Sequence, residues 1–326
     1  MIEQNGDLFY ARGERREAGI QASVGAPPSA GYTSDKESTM PHCVAHAAEE
    51  ILDKKFPVLD KGFVRLVDYL GGDERIVQAA RVSYGAGTKS FREDAALIDH
   101  LLRNEHTSPF EQVILTFHVK LPIFVARQWI RHRTARVNEI SGRYSVMKDD
   151  FYVPAPSAIA LQSKDNRQGR AAEVLPEAEA KSHIAAMETA QKSAYAEYSE
   201  LVEAGLAREL ARIDLPLSLY TEWYWQIDLH NLFRFIQLRL DPHAQLEIRE
   251  YAKVLLDITR AVAPAACGSF ENHMLGGTRF SAEEMKELKR RLTPPDAGSD
   301  GTLASPPLSG KKLERFEEKL RTGRQL

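Results

Sequence analysis

The sequence predicts an α+β fold: several long helices around a small mixed sheet, with disordered tails at both ends. Three observations carry this expectation. Between about residues 57 and 291, stretches of helical period are interrupted by two stretches rich in β-branched and aromatic residues, at 113–119 and 219–227. The regular strand–helix alternation of a doubly wound sheet is missing. Residues 1–40 and the stretch after about Arg291 are rich in Gly, Ser, Pro and charge and keep no period.

A short helix is expected near Val44–Leu52. The run VLDKGFVRLVDYLGG reads as a strand or turn entering a helix, stopped by Gly71-Gly72. Asp73–Ser83 is amphipathic, with Ile76, Val77, Ala80 and Val82 near helical spacing. Glu93–Arg103 places Ala96, Leu97, Leu101 and Leu102 on one face. Val113–Val119 is a strand, and Pro122 opens the helix IFVARQWI. Residues 131–145 lack apolar periodicity and read as a long loop, a length that marks function or disorder. Leu175–Ala204 is a long helix broken by Gly205, and Ala207–Ile213 a short one. Leu219–Ile227 is a strand. Asp228 caps the helix LHNLFRFIQLRL, and Pro242 opens AQLEIREYAKVLLDITRAV. The expected domain bounds are a disordered extension over 1–52, a folded body over 53–293 and a flexible C-terminal tail over 294–326.

The chain has 326 residues, 43% of them hydrophobic, enough for a sizeable core. A formal net charge of −3 argues against a nucleic-acid coat. Two cysteines, Cys43 and Cys267, rule out a disulfide scaffold and a four-cysteine zinc site, and suit a reducing cytoplasm. No apolar run reaches the roughly 18 residues of a membrane span, and the N-terminus carries no secretory signal. His243 and Glu247 could share a helix face, but no third ligand stands at a metal-site spacing. Walker and G-x-G-x-x-G loops are absent.

The chemistry concentrates between Arg127 and Arg143. Arg127, Arg131, Arg133, Arg136 and Arg143 fall there with a single acid, Glu139, and with His132, Asn138 and Ser141 interleaved. Guanidiniums repel one another unless an anion or solvent lies between them, and their planar forks match phosphate oxygens. The run therefore suits a phosphorylated small molecule. Ser141 is open to two readings, a nucleophile with His132 as base or a hydroxyl donating to phosphate. The arginine run alone also fits an RNA- or nucleotide-binding module.

These residues carry a resemblance. Arg131-His132-Arg133, followed after seven residues by Ser141, matches the RHR-x7-S signature of the flavin-dependent thymidylate synthases, the ThyX family. The segments HTSPFEQ, PIFVARQW, SGRYS, ARIDLPLSLYTEWYW and LRLDPHAQLEIREYA are similar to the family in its order, and the likeness spans about Val58 to Arg260. The resemblance implies an α+β fold and a homotetramer whose active sites draw on more than one subunit. It implies reductive methylation of dUMP to dTMP, with methylenetetrahydrofolate as carbon donor, FAD as hydride carrier and NADPH as reductant. Nucleic acid and membranes are not implied partners. A flavoprotein acting on another substrate is the alternative within flavin chemistry.

Residue by residue, the resemblance implies dUMP contacts at Gln128, Arg131, Glu139, Ser141, Gly142, Arg143, Arg212 and Arg239, with Arg239 the catalytic residue against the uracil N3 edge. It implies FAD contacts at Ser83, His106, Ser108, Arg131, His132, Arg133, Glu139, Asp228, His230 and Arg234. The sequence departs from the family at Asp228-Leu229-His230, where Asn-Ala-Arg is frequent, at Arg234 in place of Asn or His, and at Ser108 in place of Thr. The related cysteine-dependent chemistry needs an activated thiolate. Cys43 follows His42 but falls in the stretch expected to be disordered, and Cys267 has no basic neighbours to lower its pKa.

Overall fold

The computed structural model describes residues 43–82, 91–164, 169–292 and 308–322, all within one compact unit, His42–Leu326. The elements follow in chain order. Helix α1 (His46–Glu49) precedes strands β1 (Lys55–Val58) and β2 (Gly62–Leu70), then helices α2 (Asp73–Arg81) and α3 (Phe91–Arg103). A 3₁₀ turn at Ser108–Gln112 leads into β3 (Ile114–Pro122), α4 (Ile123–Trp129) and β4 (Arg136–Glu139). The hairpin β5 (Ala160–Gln162) and β6 (Arg170–Val174) comes next, followed by α5 (Glu177–Glu203) and α6 (Arg208–Ala211). Strand β7 (Tyr220–Asp228) runs into α7 (Leu229–Leu240), α8 (Leu246–Val262) and α9 (Pro264–Phe270). Helices α10 (Ala282–Leu292) and α11 (Gly310–Thr322) close the described chain.

The main sheet has the order β1-β2-β3-β7-β4, and each of its pairings is antiparallel rather than mixed. Alternate residues therefore face opposite sides. Leu115, Phe117, Val119 and Leu121 of β3 and Trp223, Trp225 and Ile227 of β7 point into the core. The opposite face is polar. There Arg65 approaches His118 Nδ1 at 3.1 Å, His118 Nε2 lies 3.0 Å from Glu222, and the Tyr224 ring stacks on His118.

The core's centre is aromatic. Trp129, the last residue of α4, packs against Trp223, Trp225, Phe235 and Tyr251, with ring centroids 4.6 to 5.8 Å apart. All five side chains are buried. Burying one large apolar side chain is worth about 1.5–3 kcal/mol, so this group anchors α4 and α7 against the sheet.

Several elements differ from expectation. Residues 62–70 continue as strand instead of turning into a helix. An irregularity between Leu66 and Asp68 inserts an extra residue, so the buried positions run 64, 66, 69 and lose their period of two. Gly71, at φ 76°, ends the strand where an added Cβ would sit 2.6 Å from Arg75 Cβ. The expected loop 131–145 contains β4, an exposed strand held by backbone pairing to β7. Pro242 lies in a turn, and α8 begins only at Leu246.

The C-terminal stretch also differs. The expected N-terminal extension falls outside the described residues except for 43–52, which hold α1. Of the stretch expected as a flexible tail, residues 308–322 are described and carry α11. Phe316 is fully buried there, with the Arg291 guanidinium 5.1 Å from its ring centre and Phe280 at its edge. Ion pairs Arg291–Glu317, Lys312–Glu283 and Lys319–Glu284 join α11 to α10. Glu287 of α10 is buried between Arg290 and Arg291, which hold its carboxyl down at about 2. Phe316→Ala should release α11, since emptying a buried Phe site costs about 3 kcal/mol or more. Native-state amide exchange should then quicken at least roughly a hundredfold in α11 while β3 and β7 stay protected.

Candidate functional site

The arginine run begins where α4 ends. Trp129 is buried, so the backbone leaves the core at Ile130 and carries Arg131 and Arg133 outward, with His132 half-buried between them. Arg127, Arg131, Arg133 and Arg136 are exposed, and among the described residues no carboxylate pairs with them. Like charges this dense remain together at low cost only with solvent or an anion between them.

Two groups of expected site residues assemble. The first centres on Arg239, in the last turn of α7. Its Nε donates to His132 Nε2 at 3.1 Å, and its Nη2 donates to the Gln128 carbonyl at 3.0 Å. That carbonyl is one of those a helix leaves unpaired at its C-terminal end. The Gln128 side chain hydrogen-bonds Gln245 just before α8. The His132 ring meets Phe235 edge-on at 4.7 Å. Burial, and then the charges of Arg239 and Arg234, push the His132 pKa down from 6.5 to about 4. Arg234 is thus electrostatically part of this group.

The second group lies at the far end of the run. Gly142 is packed against Arg212: an added Cβ would stand 3.1 Å from Arg212 Cδ, 3.3 Å from its Nη1 and 2.9 Å from Met147 Sδ. The Ser141 hydroxyl accepts from the Arg143 backbone N–H at 3.3 Å, and Arg143 pairs with Glu209 at 3.1 Å. Glu139, at the end of β4, accepts a 2.6 Å bond from the Thr221 hydroxyl. Ser141 and His132 share no hydrogen bond among the described residues, so a nucleophile–base pair finds no support. Nor does any hydrogen bond or ion pair there join the two groups to each other.

The remaining expected residues are placed less tightly. Asp228 caps α7, accepting from the Asn231 backbone N–H at 2.9 Å and its side-chain amide at 2.8 Å. His230 follows half-buried, one turn before Arg234. His106 and Ser108 are exposed at the 3₁₀ turn, with His106 edge-on to His100, and no described contact ties them to the Arg131–Arg133 run. Ser83 lies outside the described residues.

Thr221, Gln245 and Glu209 are partners that the sequence alone does not announce. Thr221 carries the one signal, a hydroxyl in alternation with the apolar residues Trp223, Trp225 and Ile227 of its strand. His243 and Glu247 do not form a pair. His243 bonds Asp241, whereas Glu247 is buried against Arg170 and Tyr152. Cys267 is buried, and burial pushes its thiol well above the usual range; Cys43 is raised in the same direction. Neither supplies a thiolate near neutral pH.

The depressed His132 pKa has a consequence for stability. The unfolded chain takes up the imidazole proton below about 6.5, but the folded chain does so only near 4. Between those values the unfolded state holds more protons, so stability falls as pH drops through the window. Urea midpoints measured from pH 7 to 4 should decline in the native chain and decline less in His132→Gln.

The chain is similar to known proteins over most of its length. The family model described as thymidylate synthase complementing protein matches residues 65–265, and one described as the thymidylate synthase ThyX C-terminal domain matches 278–326. A flavin-dependent thymidylate synthase of Treponema denticola is 62% identical over 275 residues, 84% of this chain and all of the relative. One from Thermus thermophilus is 54% identical over 264 residues, 81% of this chain and 95% of the relative. The crystal structure of a UMP/dUMP methylase from Streptomyces cacaoi, bound with 5-Br dUMP, superposes with a TM-score of 0.61 at 31% identity. It covers 67% of this chain and 98% of that one. No described helix is long and apolar enough to cross a membrane. Matched by family model across most of its folded body and by relatives along nearly their whole length, the chain belongs to the flavin-dependent thymidylate synthases, the ThyX family.

Proposed function

We propose that the two groups on either side of β4 are the two halves of a dUMP site. The reaction of the family to which the chain belongs is the methylation of dUMP to dTMP with FAD as cofactor. The observation that carries the site reading is the set of arginines around Arg239 and Gly142, of which only Arg143 has an acidic partner among the described residues. The donor set fits both ligands: dUMP brings a phosphate, FAD a pyrophosphate, and planar guanidiniums can meet either bidentately.

In this reading Ser141, Gly142, Arg143 and Arg212 hold the nucleotide phosphate. Gly142 allows the approach, because a Cβ there would crowd Met147 and Arg212. Glu139, fixed by Thr221, stands beside them. Gln128, Arg131 and Arg239 take the nucleoside end. Arg131, His132, Arg133 and Arg234 suit the flavin, with Asp228, His230, His106, Ser108 and Ser83 as further contacts. When bound, FAD supplies the hydride chemistry. Arg239 acts on the pyrimidine itself, because a fixed cation beside the uracil N3 edge stabilises the enolate-like charge that arises as C5 becomes nucleophilic. No thiolate is needed, in keeping with the states of Cys43 and Cys267. Methylenetetrahydrofolate is the proposed carbon donor and NADPH the reductant. Among the described residues each group is bonded internally but not to the other, and the proposed homotetramer would set one subunit's Arg239 group against another's Gly142 group. A cytoplasmic setting follows from the substrates.

Two measurements test this. Purified protein should bind FAD, and the flavin spectrum should shift on adding dUMP, because one loop serves both ligands; protein that stays colourless after incubation with FAD would remove the reading. Steady-state curves in dUMP should separate two arginines. Arg239→Ala should lower turnover at saturating dUMP by about 10²–10³ while FAD content holds, as for loss of one preorganised charge partner. Arg239→Lys should recover only part of it. Arg143→Ala should mainly raise the dUMP requirement, the signature of binding lost equally from ground and transition states.

A further inference from the structure

The bonds made by Arg239 use only one side of its guanidinium. A guanidinium is planar and carries five N–H bonds: one on Nε and two on each terminal nitrogen. The Nε and Nη2 hydrogens that share an edge are the ones taken, by His132 Nε2 at 3.1 Å and the Gln128 carbonyl at 3.0 Å. Both Nη1 hydrogens and the second Nη2 hydrogen meet no acceptor among the described residues. The edge formed by Nη1 and Nη2 is therefore left for a ligand. It presents two coplanar N–H donors, which a carbonyl oxygen beside N3 of uracil can accept.

We infer that His132 is a positioning residue for the reaction: its Nε2 fixes the rotation of Arg239 about its side-chain bonds, so that the Nη1–Nη2 edge is presented to the pyrimidine. This rests on the reading of Arg239 as the cation that faces uracil. A lone arginine side chain has about 2 kcal/mol of rotamer freedom to lose, and a cation that swings does not act as a preorganised one. Two acceptors on one edge remove the swing. Gln128 contributes a backbone carbonyl, which substitution cannot delete, so His132 is the member of the bracket that a variant can address.

The geometry also sets the state of the ring. His132 must be neutral and must carry its proton on Nδ1, because Nε2 accepts. An imidazolium would turn a donor toward the guanidinium. Burial and the charges of Arg239 and Arg234 prevent this near neutral pH. Phe235 holds the ring plane from the side. The Nδ1–H remains a donor with no acceptor among the described residues and is left for the flavin contact proposed above, so the two roles use different nitrogens.

The test is a double-mutant cycle at saturating FAD, with bound flavin and steady-state curves in dUMP recorded for each protein. The variants are His132→Asn, His132→Gln, Arg239→Ala and the His132→Asn/Arg239→Ala pair. Asn places its polar atoms near Nδ1 and cannot reach Arg239. Gln places an acceptor near Nε2. His132→Asn should lower turnover at saturating dUMP by about ten- to a hundredfold, the loss of one hydrogen bond to a charged group. His132→Gln, which keeps an acceptor near Nε2 but loses the Nδ1–H, should turn over about tenfold faster than His132→Asn. In the Arg239→Ala background, His132→Asn should cause no further loss. If Gln is no better than Asn, if the two losses multiply, or if His132→Asn turns over normally once FAD saturates, the positioning role is wrong. Near-normal turnover of Arg239→Ala sinks instead the reading beneath it.

Discussion

The site depends on the burial of one side chain, Trp129. It ends a two-turn helix and fills the centre of an aromatic group from β7, α7 and α8. Gln128 precedes it directly, and the Arg131–Arg133 run begins two residues later. The arginines therefore leave from a point that cannot move without opening the core. Phe235 completes the link, since it touches both Trp129 and His132. One helix, α7, thus supplies the packing partner of the anchor and the arginine that the anchored loop receives.

This anchoring offsets an unfavourable charge distribution. Arginines from α4, the following loop, β4 and α7 are gathered with few acids among them. In the free protein that concentration opposes compaction, and the core must supply the difference. A dianionic phosphate entering the cluster relieves it. The same field that binds the ligand would also keep His132 neutral, which joins substrate affinity and proton state in one arrangement.

Much of this was legible because it is local. The cap at Asp228 follows from a side chain reaching a backbone N–H three residues on. The aromatic strand 219–227 and the charge of the 127–143 run needed no partner to be recognised. What was not legible is tertiary. Strand β4 is exposed at all four residues and has no apolar alternation, so only β7 makes it a strand. The extra residue near Val67 disguised β2. Helix α11 did carry an apolar spacing at Leu313, Phe316 and Leu320, but thirteen residues are marginal as a free helix and take their stability from α10. In the site, Thr221, Gln245 and Glu209 lie 82, 117 and 66 positions from the residues they support.

The pairing of β4 also explains why the run has the length it does. Its start is pinned at Trp129, and it is pinned again along β4, whose four residues lie opposite Gln226, Trp225, Tyr224 and Trp223 in turn. Strand side chains alternate, so adding or removing one residue inside β4 would slide the register and turn Glu139 away from Thr221. Ser141, Gly142 and Arg143 follow after Ile140 and would be displaced with it. The spacing between the Arg-His-Arg run and Ser141 is accordingly a ruler, cut to the distance between a buried indole and a sheet edge. Many single substitutions within it leave that distance intact, whereas an insertion or deletion inside β4 shifts its pairing with β7.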